Sequence, residues 1–299
     1  MVSVMSSERT VHVPVMVHEV LEQLQLQPGL TIVDGTVGAG GHSQKILQQL
    51  DSSARLIGLD RDGAMLARAA EVVRGEQVVL RESSYARLGS ILDEQGIRQV
   101  DRVLLDLGLS SDQLADSHRG FGFETSGSLD MRFDLSQGIP AADLLRTANE
   151  EQLETIFRDY GEEPDARRLA REIVAERRRG HLIVTAAALK QLVERLLPVH
   201  KNKSHPATRI FQALRIAVNG ELAELETFLH KVLPERLVPG GRVLVITFHS
   251  LEDRLVKQAF RETSLWENLT RKPIVATPSE VRWNPRSRSA KLRVASKKI

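Results

Sequence analysis

Cysteine is missing from all 299 residues. Its absence excludes a disulfide framework, cysteine-ligated zinc or iron–sulfur clusters, and a thiolate nucleophile. Also missing is any run of about 18 or more apolar residues, the length a membrane span needs. Met1 to Thr10 lacks the basic and apolar regions of a signal peptide. The chain is therefore expected to be cytoplasmic, with no membrane partner. Its nine histidines show no ligand spacing such as H-E-x-x-H, so no metal is assigned. What is present is ordinary for a globular chain: 41% apolar and 27% charged residues, enough for one large domain or two modest ones.

Charge is unevenly spread. The net charge of +2 includes seven basic residues and no acid between Val281 and Ile299, which leaves the first 280 residues at −5. A basic tail on a mildly acidic body suits contact with a polyanion, although a solvated tail reads the same way from charge alone.

The first third alternates in period. Leu30–Asp34, Arg55–Asp60, Gln77–Leu80 and Val100–Leu105 read as strands. His42–Leu50, Asp62–Val73 and Tyr85–Gln95 read as helices between them. Strands separated by helices of this length imply βαβ units and a parallel sheet. From Ser110 to Ser204 no strand is expected. A Gly-rich loop (Arg119 to Gly127) precedes helical patterns at Ala141–Arg146, Glu150–Tyr160, Asp165–Arg179 and Thr185–Leu196. Strand character returns at Arg242–Thr247, and Ala290–Ala295 is expected to add an edge strand. The reading is a doubly wound α/β domain, built by both ends of the chain and split by a helical insert.

Asp34-Gly35-Thr36-Val37-Gly38-Ala39-Gly40-Gly41-His42 follows the first strand and opens a helix. A doubly wound sheet binds nucleotide-like ligands at that place. Asp60, at the end of the second strand, suits a pair of ribose hydroxyls. Dinucleotides and S-adenosylmethionine both fit so far. The pattern G-x-x-G-x-G-G, with an acid directly before it, departs from the pyrophosphate fingerprint G-x-G-x-x-G. An acid-rich rim favours the cationic S-adenosylmethionine. After the fourth strand, Asp106-Leu107-Gly108 stands where enzymes that methylate exocyclic amines carry an acid. Such an acid accepts an amine hydrogen and turns the nitrogen lone pair toward the methyl group. Asp106 is therefore the expected catalytic residue.

The motifs, taken in order, resemble the bacterial ribosomal RNA small-subunit methyltransferase H family (RsmH/MraW) nearly end to end. They are His12-Val13-Pro14-Val15-Met16 with Glu19, Asp34 to Ser43, and Asp106 to Ser111 with Gln113. Arg119-Gly120-Phe121, Leu129-Asp130-Met131-Arg132, and His205 to Arg209 with Phe211-Gln212-Ala213 follow. Phe248 to Arg254 and Asn284 to Ser289 close the set. The resemblance implies a Rossmann-like S-adenosyl-L-methionine-dependent methyltransferase fold. Residues 1–114 and 206–299 would form the methyltransferase domain, and residues 115–205 a mostly helical insert for substrate recognition. The implied reaction methylates the N4 amine of a decoding-centre cytidine in 16S rRNA of the small ribosomal subunit, with no DNA partner. Cofactor contacts carry over to Gly40, Gly41, His42, Asp60, Tyr85, Asp106 and Gln113. The family often has Phe where Tyr85 stands and Pro where Ser128 stands. The missing cysteine agrees independently, because cytosine C5 methylation generally proceeds through a thiol adduct, whereas an oriented amine is already a nucleophile.

The helix expected from Pro206 onward has an apolar stripe at Ile210, Leu214, Ala217, Leu222 and Leu225. Its other side carries Arg209, Gln212, Arg215 and Asn219, which are expected to bind substrate RNA. Arg167, Arg168, Arg171 and Arg177 to Arg179, with Lys201 and Lys203, offer phosphate contacts. Ser250-x-x-Asp253 reads as a helix cap beside His249. The residues also admit a dinucleotide-dependent oxidoreductase, a non-catalytic ribosome-assembly factor, or a methyltransferase acting on adenine or protein.

Overall fold

A computed structural model describes residues 13–123, 127–198 and 205–299. His12, Lys201 and Lys203 lie outside the described residues, as does the middle of the Gly-rich loop. A first helix, α1 (Val17–Leu24), precedes the alternating segment. Its apolar residues Val17, Val20, Leu21 and Leu24 have the helical period for only two turns, too short a signal to stand alone. Then follow β1 (Thr31–Asp34), α2 (Gly41–Leu47), β2 (Arg55–Asp60) and α3 (Gly63–Val72). The segment closes with β3 (Val78–Glu82), α4 (Leu88–Glu94) and β4 (Val100–Asp106). A short α5 (Ser111–Ala115) leads to the helical insert, α6 (Ala141–Thr147), α7 (Glu150–Asp159), α8 (Ala166–Arg178) and α9 (Ala186–Leu196). The chain returns through α10 (Pro206–Asn219), α11 (Glu221–Thr227) and α12 (Leu233–Arg236) to β5 (Leu237–Thr247). It ends with α13 (Ser250–Ala259), β6 (Trp266–Asn268), β7 (Ile274–Val275), α14 (Pro278–Trp283) and β8 (Lys291–Lys297).

The sheet order is β3-β2-β1-β4-β5-β8-β6, with β7 also paired to β8. From β3 to β5 the strands are parallel. Both faces are covered, so the strands are nearly unbroken apolar runs. Val33, Val103, Leu105, Val243 and Val245 point into one core with Leu88, Phe228, Val256 and Phe260. Ile32, Leu56, Leu104, Leu244 and Ile246 point into the other with Val20, Leu24 and Ile46. The strand expected at the sheet's edge is internal: β8 runs antiparallel to β5 on one side and to β6 and β7 on the other. β6 and β7 are three and two residues long, too short to read from periodicity. Two arginines reach from the sheet to the end of α1. Arg102 Nε donates to Leu24 O at 2.5 Å, and Arg242 Nη1 to Gln23 O at 2.9 Å. Their positive charge sits at the negative end of the helix dipole.

The insert has its own core of Leu145, Leu153, Phe157, Leu169, Ile173, Leu189 and Val193. Ile210, Phe211 and Leu214 of α10 belong to that core, not to the sheet's. By packing, the helical unit therefore extends past residue 205 to Gly220. The single helix expected through Leu225 is broken there: Gly220 adopts φ +63° and ends α10, and α11 starts anew. Leu225, beyond the break, joins the sheet's core. The strand order reverses between β1 and β4, and a crevice opens beyond the strands' C-terminal ends.

Candidate active site

That crevice is a solvent-open cleft holding about 1110 Å³ of space, its open mouth included. Its walls come from the loops after β1, β2, β4 and β5, from the start of α11, and from Pro14, Phe133 and Arg286. The loop after β1 is held by its own acids. Asp34 is buried, and its carboxylate accepts from Thr36 N at 3.2 Å and from Ser43 Oγ at 2.7 Å. Thr36 Oγ1 in turn accepts from Asp106 N at 2.6 Å, which ties the ends of β1 and β4 together. Asp60 Oδ2 accepts from Gly38 N and Oδ1 from Asp62 N, both at 2.8 Å. Burial, opposed by those bonds, pushes the Asp60 carboxyl up to about 6. Each oxygen keeps a lone pair for a ligand hydroxyl.

Six of the seven residues carried over for the cofactor, namely Gly41, His42, Asp60, Tyr85, Asp106 and Gln113, line this cavity. Gly40 does not line it. It turns the loop at φ +89°, and a Cβ there would come within 2.7 Å of Val73 and 2.9 Å of Val72 on the far side. Tyr85 is buried and packs edge-on against Phe228, with ring centroids 5.4 Å apart. Gln113 works at both ends. Its Oε1 accepts from Ser110 N at 2.9 Å in a capping box, and its Nε2 donates to Asp62 Oδ2 at 2.9 Å. Arg119, from the insert side, reaches the same Asp62 oxygen at 3.1 Å.

Asp106 stands at the end of β4. Its Oδ2 lies 3.5 Å from His42 Nδ1, and its Oδ1 is buried with no hydrogen-bond partner. Burial pushes this carboxyl up to about 7, against the pull of Arg286 and with the help of Glu252. An unpaired buried carboxylate oxygen in a cavity is expensive unless a ligand meets it. Among the described lining residues, the carboxylates Asp60, Asp106, Glu221 and Glu252 outnumber the cations Arg61 and Arg286, although Arg215, behind the wall, pairs with Glu221. Arg61 is already engaged by Glu224 at 3.1 Å and by Asn219 O at 2.7 Å. This donor set suits a cationic ligand and leaves no free guanidinium pair for a pyrophosphate. Sulfonium-bearing S-adenosylmethionine fits it.

Several lining residues are not evident from the sequence reading. Arg286 stands there in the basic tail and in the closing Asn284 to Ser289 motif, with no separate role. The structure returns it to the cavity, where it donates to Leu109 O and Ser111 Oγ and holds the loop after β4. Phe248 and Glu252 lie within a recognised motif but carry no separate signal. Glu252 is buried; burial opposes its charge, but His249, Arg215 and the Phe248 N–H hold its pKa low. The expected cap at Ser250-x-x-Asp253 is shifted by one residue. α13 begins earlier, so His249 and Glu252 form the capping box, while Asp253 pairs with Arg293 at 2.7 Å.

Arg209, Gln212, Arg215 and Asn219 do not line the cavity. Arg209 Nε donates to Glu163 at 3.0 Å, and Gln212 donates to Tyr160 O at 3.1 Å. Arg215 bonds Glu221 at 2.8 Å. Asn219, 5% exposed, donates to Met131 O at 2.7 Å and accepts from Phe133 N at 2.8 Å. Arg215 and Asn219 stand one layer behind the wall, whereas Arg209 and Gln212 hold the segment between α7 and α8. The arginine cluster also divides. Arg177 donates to the carbonyls of Leu145, Arg146 and Ala148, and Arg179 bonds Glu172. Arg167, Arg168, Arg171 and Arg178 are exposed on α8.

Comparison with known proteins agrees with this geometry. The chain is 48% identical to the ribosomal RNA small subunit methyltransferase H of a Cyanothece species, over 96% of this chain and 94% of that one. It is 45% identical to the protein of that name from Solidesulfovibrio magneticus, over 96% and 95% of the two chains. For the Nostoc protein of that name the identity is 46%, over 96% and 92%. A sequence model of the MraW methylase family matches residues 9–298, and the chain belongs to that family.

Proposed function

We propose that this chain transfers a methyl group from S-adenosyl-L-methionine to the N4 amine of a decoding-centre cytidine in 16S rRNA of the small ribosomal subunit, in the cytoplasm. The observation that carries the reading is Asp106, which lines a cavity rimmed by acids and has a buried oxygen with no hydrogen-bond partner. When bound, the cofactor supplies an electrophilic methyl group on a cationic sulfur. Asp60 would hold the ribose, and Tyr85 would pack on the adenine. His42, Gly41 and Gln113 shape the rest of the pocket. Asp106 accepts an amine hydrogen and stabilises the charge that develops on nitrogen. Holding nitrogen and methyl carbon in line can supply roughly 7–11 kcal/mol of the barrier. The target base must leave its stack to reach this depth. Among the described residues, no helix is long and apolar enough to cross a membrane.

In this reading the helical unit from residue 115 onward recognises the substrate. The exposed arginines of α8 meet phosphates. Asn219 and Arg215 act indirectly, by fixing Phe133, Glu221 and Glu252 in the cavity wall. The test is labelled methyl transfer to small subunits from cells lacking the enzyme, followed by digestion to nucleosides. Label in N4-methylcytidine is expected. Label in a C5-methylated or adenine product, or none, would overturn the proposal. Assembled subunits should outpace naked 16S RNA, since the site needs the folded shape.

A further inference from the structure

We infer that Asp106 and His42 hold one proton between them in the ligand-free protein, and that they release it when a cationic cofactor binds. The inference rests on the cavity being the cofactor site. His42 Nε2 lies 2.8 Å from Val15 O. A carbonyl only accepts, so Nε2 carries a hydrogen. In the neutral ring Nδ1 then presents a lone pair. It faces Asp106 Oδ2 at 3.5 Å, with the two side chains 6% and 16% exposed. Without a proton, a lone pair and a carboxylate would oppose each other in a poorly solvated space. One proton removes the conflict and leaves the pair neutral.

The neighbours favour keeping it. Asp34, on β1, and Glu280, on α14, face His42. Glu252, on α13, and Arg286, on the turn before β8, face Asp106. Asp34, whose own carboxyl is pushed up by burial, faces Asp106 as well; with Glu280 and Glu252 it outweighs the one guanidinium and favours retention of a proton. Burial holds the imidazole's pKa low and the carboxyl's high, so the proton belongs to the Asp106 carboxyl beside His42 Nδ1.

A sulfonium in the cavity reverses this balance. Its charge favours the bare carboxylate, and the pair gives its proton to solvent. Asp106 is then a base at the moment it is needed. In the transfer, the amine lone pair forms the N–C bond and sulfur keeps the electrons of the broken S–C bond. The nitrogen sheds one hydrogen ion to Asp106. Sulfur is now neutral, so the pair keeps that proton, which restores the resting state. One proton leaves on cofactor binding and one arrives from the amine, which balances the turnover. Asp106 is the catalytic residue, and His42 is a positioning residue that fixes where its proton sits.

The experiment is titration calorimetry at pH 6, where the free pair is almost fully protonated, in buffers of unlike ionisation enthalpy. S-Adenosylmethionine should release about one proton more per site than its neutral-sulfur product, S-adenosylhomocysteine. Asp106→Asn should abolish the difference, and His42→Asn, which removes the facing lone pair, should reduce it. Because either variant could misfold, nitrogen-15 NMR of the unaltered protein gives a second readout: His42 should be the Nε2–H tautomer. Equal proton release by the two ligands, or an Nδ1–H tautomer, would overturn the inference while leaving the cofactor site standing. Failure of both ligands to bind would overturn both.

Discussion

Asp106→Asn should slow methyl transfer sharply and, at alkaline pH, make the protein more stable. The side chain's carboxyl is raised from 3.8 to about 7 by burial. A raised acid binds its proton more tightly in the folded state than in the unfolded one. Stability therefore falls as pH climbs from 3.8 and levels off above about 7. At about 1.4 kcal/mol per pH unit, the full penalty is on the order of 4 kcal/mol above that range and about 1.5 kcal/mol at pH 5. Asparagine carries no such penalty. Its amide can donate to His42 Nδ1, while the backbone bond from residue 106 to Thr36 Oγ1 is untouched. Urea unfolding should show the variant gaining more at pH 8 than at pH 5, by roughly 2–3 kcal/mol. Single-turnover methyl transfer should slow by about 10²–10⁴-fold, the usual worth of a positioned base. Cofactor affinity, measured by calorimetry, should change far less, by roughly 10-fold. An equal stability change at both pH values would refute the burial argument. A loss of affinity as large as the loss of rate would refute the chemical role and leave Asp106 as a cofactor ligand only.

Other perturbations separate the remaining parts of the site. The kcat/KM for cofactor should rise with pH and flatten above about 7 as free Asp106 ionises, whereas kcat should bend at lower pH because the bound cation favours the carboxylate. A pH-independent kcat/KM between 5 and 8 would contradict that assignment. Gly40→Ala should lower the melting temperature and weaken cofactor binding, since φ +89° is strained for alanine and its Cβ would meet Val73 at 2.7 Å; a loss of about 1–3 kcal/mol by chemical denaturation is expected. Asp60→Ala should weaken cofactor binding by about 10–100-fold in calorimetry, with the NAD control showing no binding to the parent protein. Arg167→Gln with Arg171→Gln should raise KM for small subunits and flatten its salt dependence by roughly one to two charges, leaving kcat and cofactor affinity unchanged.

The parallel half of the fold was legible because β1, β2 and β4 are largely buried apolar runs, each closed by an acid ahead of a helix start. Asp34, Asp60 and Asp106 mark the three strand ends that meet at the cavity. Gly40 shows how position in a motif and function diverge. Its sequence place fits a ligand contact, but its backbone angle and the valines behind it make it a hinge of the loop. Arg286 was illegible for the opposite reason. Charge along the chain says nothing about which basic side chain folds inward, and only the turn at Pro285–Ser289 decides it. The polar side of α10 was expected to bind RNA directly, but periodicity marks a face without naming its neighbour. There the neighbour is the insert and the cavity wall. The short strands β6 and β7 gain their conformation from β8 and have no local pattern to reveal them.

The burial of β8 between β5 and β6 bears on how the molecule is made. The strands β1 to β5 are complete by Thr247, yet β5 receives its outer neighbour only at Lys291–Lys297. Until then a nascent chain exposes an unpaired, strongly apolar rim, the kind of surface that recruits other chains. Arg286 arrives in the same stretch. A ribosome stalled before residue 291 would thus leave a sticky, half-walled product, and chaperone demand should peak in that interval of synthesis.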